Sequence, residues 1–284
     1  MKYPQQPEEI RHGTFDFPLA CYRVNRHHPR YEMMLHWHPE LEIIHIERGT
    51  LLLELDGRQH PLQAGDTVVV GGGVCHSAHP QDSEYVCLVF DMHSFLERNP
   101  ITARTAQPLT LPECRIHPHL PRGLTELNGV LEGLIAAMEQ QRPGYELYVQ
   151  GALCQVFAII LREGLYTVET KTAPRRAGRL LPLKNAVTYV EEHYTAAITL
   201  DELARAAGMS RKYFCSYFRG ITGKTPMEYL NSYRIEKACE LLLDGDRSVA
   251  TVAGDCGFND VSYFARRFRR VTGVTPLEYR KGKA

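Results

Sequence analysis

Three imidazoles and one carboxylate stand at spacings suited to holding a common partner. His36, His38 and Glu42 share parity, and in an extended strand, where side chains alternate between faces, all three point the same way. His76 follows the turn-forming run Gly71-Gly72-Gly73 and would return on a neighbouring strand. Converging inside a β-domain, such a set can hold Zn, Fe, Mn or Ni and leave coordination positions open. The remaining histidines form no comparable cluster and read as surface or satisfied polar groups.

A second chemistry lies near the other end of the chain, where the sequence repeats itself. Ser210-Arg211-Lys212-Tyr213-Phe214-Cys215-Ser216-Tyr217-Phe218-Arg219 is followed by Thr222-Gly223-Lys224-Thr225-Pro226-Met227-Glu228-Tyr229. Later come Asp260-Val261-Ser262-Tyr263-Phe264-Ala265-Arg266-Arg267-Phe268-Arg269 and Thr272-Gly273-Val274-Thr275-Pro276-Leu277-Glu278-Tyr279. Upstream, Leu203-Ala204 and Gly208 match Val252-Ala253 and Gly257. Ala204 and Ala253 are small, as close helix crossing requires. Gly208 and Gly257 suit a sharp turn, where positive φ is easy only for glycine. Ser210 and Asp260 are N-cap types. The paired phenylalanines, four apart, anchor a helix to a core, and Gly223 and Gly273 end it. Thr225-Pro226-x-Glu228 and Thr275-Pro276-x-Glu278 spell capping boxes with proline at the first helical position. Helix, tight turn, anchored helix and stop, used twice, predict two helix-turn-helix units.

The face opposite the phenylalanines is the one that meets duplex DNA in this reading. It carries Arg211, Lys212, Cys215, Ser216 and Arg219 in the first unit, and Ser262, Ala265, Arg266 and Arg269 in the second. Arginine pairs with guanine O6 and N7, serine adapts to several base edges, and alanine touches a thymine methyl. Lys224, Arg267 and Arg270 are assigned to phosphates. The helix from about Pro226 to Leu243 acts as a spacer between units that enter successive major-groove segments.

The elements that must position these groups follow from period and punctuation. Residues 19–90 read as short strands, with Asp56-Gly57 as a hairpin turn after Leu51–Leu55 and Ala64-Gly65-Asp66 before Thr67–Val70, which predicts a small β-barrel or sandwich. Leu124, Leu127, Val130, Leu131, Leu134, Ile135 and Met138 recur at helical spacing, and a second, largely apolar helix is expected over about 146–162. The expected fold class is α+β in two domains. A β-barrel domain spans 1–122, a helical dimerisation or packing segment 123–166, a linker 167–182 and an all-α DNA-binding domain 183–284.

Bulk composition sets limits without naming a function. The 284 residues carry 33 basic and 33 acidic side chains, so net charge alone does not argue for a polyanion partner. The balance is uneven, with 16 basic against 12 acidic residues in 183–284 and 17 against 21 before it. The eight cysteines form no Cys-x-x-Cys pair, which suits reduced thiols in a cytoplasmic chain. Met1–Glu9 is polar, with no apolar stretch of signal-peptide type. No apolar run is long enough for a membrane span.

Residues 183–281 resemble the DNA-binding domain of the AraC/XylS family of transcription regulators, most closely over Gly257-Phe258-Asn259-Asp260-Val261-Ser262-Tyr263-Phe264 and Phe268. His36-x-His38-x3-Glu42-x6-Gly49 and Gly65-x5-Gly71-x-Gly73-x2-His76 resemble the two cupin motifs, with Gly71 where proline is usual. Residues 15–90 therefore look like the cupin-type sensor domain attached to many such regulators. The resemblance implies a cytoplasmic homodimer that binds promoter DNA, contacts RNA polymerase, and takes a small effector, a sugar or related metabolite, among His36, His38, Glu42 and His76. A polar effector without metal is the first reading of that cluster and a divalent metal the second. Cys215 and Ala265 occupy reading positions that vary within the family, so the operator stays open. The alternative function is a metal-dependent cupin enzyme, a dioxygenase or isomerase, with an appended DNA-binding domain. A third is a DNA-binding scaffold whose barrel serves only dimerisation.

Overall fold

The computed structural model describes residues 12–14, 17–28, 30–97, 99–111, 113–168, 177–243 and 247–281. Contacts divide the chain into two units, Met1–Tyr31 with Trp37–Pro174 and Glu32–His36 with Arg175–Ala284. The polar start, Met1–Glu9, and the middle of the expected linker, 169–176, lie outside the described residues.

The β-rich part comprises β1 (Leu19–Val24), β2 (Met33–His36), β3 (Leu41–Leu55), β4 (Arg58–Gln63), β5 (Thr67–Val70) and β6 (His76–Phe90). Helices α1 (Met92–Leu96) and α2 (Pro100–Thr110), strands β7 (Cys114–Ile116) and β8 (His119–Leu120), helices α3 (Thr125–Gln140) and α4 (Tyr145–Arg162) and strand β9 (Tyr166–Val168) follow. The main sheet runs β1-β6-β3-β5-β8, with β2 on β6 and β4 on β3. Its spine is the long antiparallel pair β3 and β6, which shifts register between Ile46 and Thr50. Gly49, at φ +72° inside that irregularity, is where the strand bends. The hairpin turn between β3 and β4 uses Asp56 and Gly57, both at positive φ, as the sequence requires.

The first half of β3 is buried on both faces, which explains why Leu41-Glu42-Ile43-Ile44 shows no polar alternation. Leu41 and Ile43 join Val86, Leu88 and Phe90 in a core closed by Leu127, Leu131, Leu134, Val149, Leu153, Val156 and Phe157 of α3 and α4. Glu42, Ile44 and Ile46 point the opposite way, into the curl of the sheet.

The helical part contains α5 (Ala177–His193), α6 (Leu200–Ala206), α7 (Arg211–Thr222), α8 (Pro226–Leu243), α9 (Val249–Asp255), α10 (Val261–Thr272) and α11 (Pro276–Lys281). The expected linker, 167–182, differs at both ends, and at its start β9 runs on to Val168. The helix expected from Leu183 begins at Ala177 and takes in Pro182. The mixed sequence before Leu183 has no helical period, but buried Leu183, Ala186, Val187 and Val190 nucleate a helix that extends backward. A proline this close to the N-terminus removes only one backbone bond.

The duplication is carried into the structure down to its caps. Phe214 and Phe218 lie 5.4 Å apart, Phe264 and Phe268 5.5 Å, and all four are buried. Phe218 meets Tyr229 edge-on at 5.5 Å as Phe268 meets Tyr279 at 5.4 Å. Both capping boxes form. Thr225 N–H donates to Glu228 at 2.9 Å and Glu228 N–H returns to Thr225 Oγ1 at 3.3 Å, while Thr275 and Glu278 do the same at 2.7 and 3.2 Å. Gly223 and Gly273 end α7 and α10 in the left-handed conformation. Asp260 caps α10 by accepting Tyr263 N–H at 2.8 Å. Ser210 holds the matching position but its side chain makes no cap bond.

Candidate effector site and nucleic-acid interface

Ligand atoms of His36, His38, Glu42 and His76 all lie within 4.8 Å of one another. The turn after β5 brings the fourth member in. Gly73 N–H donates to His38 O at 2.8 Å, and a Cβ on Gly72 would overlap the Pro39 carbonyl, so only glycine lets these loops meet. His76 then opens β6 with Nε2 3.0 Å from Glu42 Oε2, and His38 Nε2 stands 3.3 Å from the same oxygen. Glu42 and His76 are almost wholly buried, and His38 retains slight exposure.

Each histidine is oriented through its other nitrogen. Nδ1 of His36 lies 2.9 Å from Met34 O, that of His76 2.9 Å from Val74 O and that of His38 3.2 Å from Glu40 O. A carbonyl only accepts, so Nδ1 carries the hydrogen and a neutral ring keeps its lone pair on Nε2. This is the outer-shell arrangement that fixes metal-binding imidazoles. Burial acts to raise the Glu42 pKa, yet hydrogen bonds from His38 and His76, with their charge, hold it well below the usual carboxylate range. Burial opposes charge on His76 too, but Glu42 beside it raises that pKa. The donor set, three nitrogens and one oxygen, fits a divalent transition metal and equally a polar molecule that needs one anionic and several neutral contacts.

Sequence reasoning passes over two neighbours. The His12 ring lies 5.5 Å from His38 and Nδ1 of His12 is 3.0 Å from Tyr22 Oη. Cys87, opposite Ile44 in register, is buried, and burial, then the charge of Glu42, pushes its thiol up. Cys87 shares face parity with Glu42, a signal that the strand pattern contains.

The faces expected to meet DNA are open. Arg211, Lys212, Ser216 and Arg219 on α7 are exposed, as are Ser262, Arg266, Arg269 and Arg270 on α10, and the two helices share the same residue-by-residue burial over their first ten positions. Cys215 and Ala265 are only half-buried edge positions of the stripe. Arg267, expected at a phosphate, is less open than the other arginines of α10. It is half-buried, with Nε shielded, because Arg266, Arg267, Arg269 and Arg270 fan around the helix and cannot all lie on one face. Lys224 is half-buried as well. Arg211 also faces Asp201 at 3.5 Å, an exposed pair of little energetic weight. Tyr213 and Tyr263, at matched positions, are exposed aromatic side chains on the same two helices, and the expected reading face did not include them.

Comparisons with known proteins agree with both halves. Residues 18–157 match the family model of an AraC-like ligand binding domain, and 203–282 match a helix-turn-helix domain model. An uncharacterized HTH-type transcriptional regulator, YdeC, of Bacillus subtilis is 27% identical over 90% of this chain and 89% of its own. The HTH-type transcriptional activator RhaS of Escherichia coli is 26% identical over 88% and 89%. The crystal structure of an apo, singly substituted ToxT from Vibrio cholerae covers 95% of this chain and 99% of its own at a TM-score of 0.54 and 15% identity, a likeness of fold. YdeC and RhaS are named as HTH-type transcriptional regulators and match over 89% of their own length, which favours a regulator over a metalloenzyme.

Proposed function

Because this chain belongs to the AraC family of transcription regulators, we propose that an effector seated among His36, His38, Glu42 and His76 controls how the α7 and α10 faces engage promoter DNA. The observation that carries the reading is the pairing of a buried, convergent polar cluster in the ligand-binding domain with two matched basic faces in the helix-turn-helix domain. An effector that binds one arrangement better shifts the population toward it. The occupant is a small polar molecule of sugar or related type. A divalent metal is the second reading, favoured by the three Nδ1 tethers. If bound, the metal would be held by Nε2 of the three histidines and by Glu42, and would supply a Lewis-acidic contact for the effector.

The partners follow from the same reading. Arg219, Arg266 and Arg269 read base edges, with Arg270 on phosphate. The acting species is a cytoplasmic homodimer that contacts RNA polymerase, and none of the described helices is long and apolar enough to cross a membrane. Exposed Leu147 and Tyr148 on α4, beside Val130 of α3, supply the self-association surface.

The test is a mobility shift on a fragment from the chain's own upstream region. Changing Arg219 and Arg266 to Ala should weaken binding and flatten its salt dependence. Unchanged affinity and salt slope would remove these faces from the interface. Effector and metal are sought by melting temperature across polar metabolites and divalent cations, read in wild type and His36→Ala.

A further inference from the structure

Helix α8 joins the two helix-turn-helix units and is buried round most of its girth, at Pro226, Tyr229, Leu230, Tyr233, Ile235, Ala238, Cys239 and Leu242. Two cations are buried among them, Arg234 and Lys237. Lys237 is satisfied within its own helix, with Nζ 3.0 Å from Glu240 and over the Tyr233 ring. Arg234 reaches out of it.

The Arg234 fork donates to two carbonyls of the segment between α5 and α6, Nε to Tyr194 O at 2.7 Å and a terminal nitrogen to Ala196 O at 2.6 Å. These carbonyls lie just past the C-terminus of α5, where the helix presents partial negative charge, and charge-assisted bonds to them are short and directional. The same guanidinium lies 5.7 Å from the Phe258 ring centre. Phe258 packs on Phe264 of α10 at 5.1 Å. One side chain on the connecting helix therefore grips the turn that leads into α6 and α7 and the residue that seats α10.

The glycine turns point to the same place. Gly208 and Gly257 both sit at positive φ, at the same point in each unit. A Cβ on Gly208 would meet open space, but one on Gly257 would stand 2.6 Å from Tyr194 O and 2.9 Å from Thr195 O. The second unit's turn rests directly on the segment that Arg234 holds. The two units are alike internally, and this contact, which the repeat does not duplicate, fixes one against the other.

We infer that Arg234 is a positioning residue that sets the phase between the α7 and α10 reading faces, and so the spacing between the two duplex segments that one protomer reads. The inference rests on the DNA-binding reading. A guanidinium holding two fixed carbonyls defines an orientation that an ammonium, a point charge on a flexible stem, does not.

The test uses the full chain and a duplex enriched from a random library by the wild-type protein, with the two neighbouring segments read by one protomer located by footprinting. Versions of it carry one or two base pairs added or removed between those segments, each pair rotating one segment by about 35° relative to the other. Wild type should lose about tenfold or more in affinity on a two-pair change. Arg234→Lys should lose less than about threefold across the series, or prefer a different spacing. Phe258→Leu, which removes the ring but keeps an apolar side chain, should move the profile the same way. Overturning results are an Arg234→Lys profile parallel to wild type, whether lowered equally on every duplex or unchanged, and a Phe258→Leu profile that stays sharp. Failure of the wild type to enrich any duplex would instead sink the DNA-binding reading.

Discussion

Nε2 of His76 stands 3.0 Å from the Glu42 carboxylate, and both side chains are removed from water. Deleting His76 leaves the buried Glu42 carboxylate with His38, at 3.3 Å. His76→Ala is expected to cost about 3–5 kcal/mol, the range for breaking a buried ion pair, in urea unfolding of the β-rich domain. A loss under about 1 kcal/mol would mean that the cluster relaxes or hydrates without consequence.

The Nδ1 tethers lead to a prediction about metal. With Zn, Mn or Ni at about a hundred times its dissociation constant, the wild-type domain gains about 2.7 kcal/mol by mass action. Glu42→Gln keeps the volume but withdraws the anionic ligand, and should abolish most of the metal-dependent rise in melting temperature. Equal rises in both proteins would place the ion elsewhere.

Gly208 and Gly257 share a backbone conformation but not a neighbourhood. Gly208→Ala should cost about 1 kcal/mol, the left-handed penalty for a side chain. Gly257→Ala adds a collision with backbone carbonyls and should cost clearly more in denaturant unfolding of the helical domain. Equal costs would show that the segment after α5 yields easily.

Exposure separates arginines that the sequence treats alike. Arg270→Ala should lower the slope of log affinity against log salt by about 1, the expectation for one phosphate contact. Arg267→Ala should leave that slope unchanged because its side chain is half-buried and its Nε shielded. The reverse order would mean that the face is assigned wrongly.

Acid should weaken the capping boxes. Hydrogen bonds from Thr199, Thr225 and Thr275 hold the carboxyls of Glu202, Glu228 and Glu278 below their ordinary 4.5. A depressed folded value means that the contribution is complete above the ordinary value and disappears as pH falls through the folded one. Helicity should therefore begin to decline below pH 4.5. The triple Glu→Gln variant keeps the acceptors without the titration and should show a flatter acid limb. An identical limb would assign acid sensitivity to other groups.

Much of the helical domain is legible in the sequence because its determinants are local. Capping residues, phenylalanines four apart and helix-ending glycines act within one or two turns, so Thr225 and Glu228 meet wherever the rest of the chain lies. The start of α5 is hidden for a related reason. Its first turn is held by the buried residues that follow, and Pro182 disguises it. Arg234 gives a fainter signal, a cation among the buried residues of α8, where it needs a buried partner.

The sequence by itself determined the two repeated units, their caps and turns, since helix periods and capping are properties of neighbouring residues; strand parity does not carry from His36 to Glu42, because His36 ends β2, residues 37–40 form no strand and Glu42 lies on β3. Tertiary structure decided how the ends of β2 and β3 bring His36, His38 and Glu42 to His76, how far Arg267 is shielded, and that Arg234 spans two units. Those outcomes depend on which distant backbone a side chain meets after the chain has closed, and residue spacing carries no record of that.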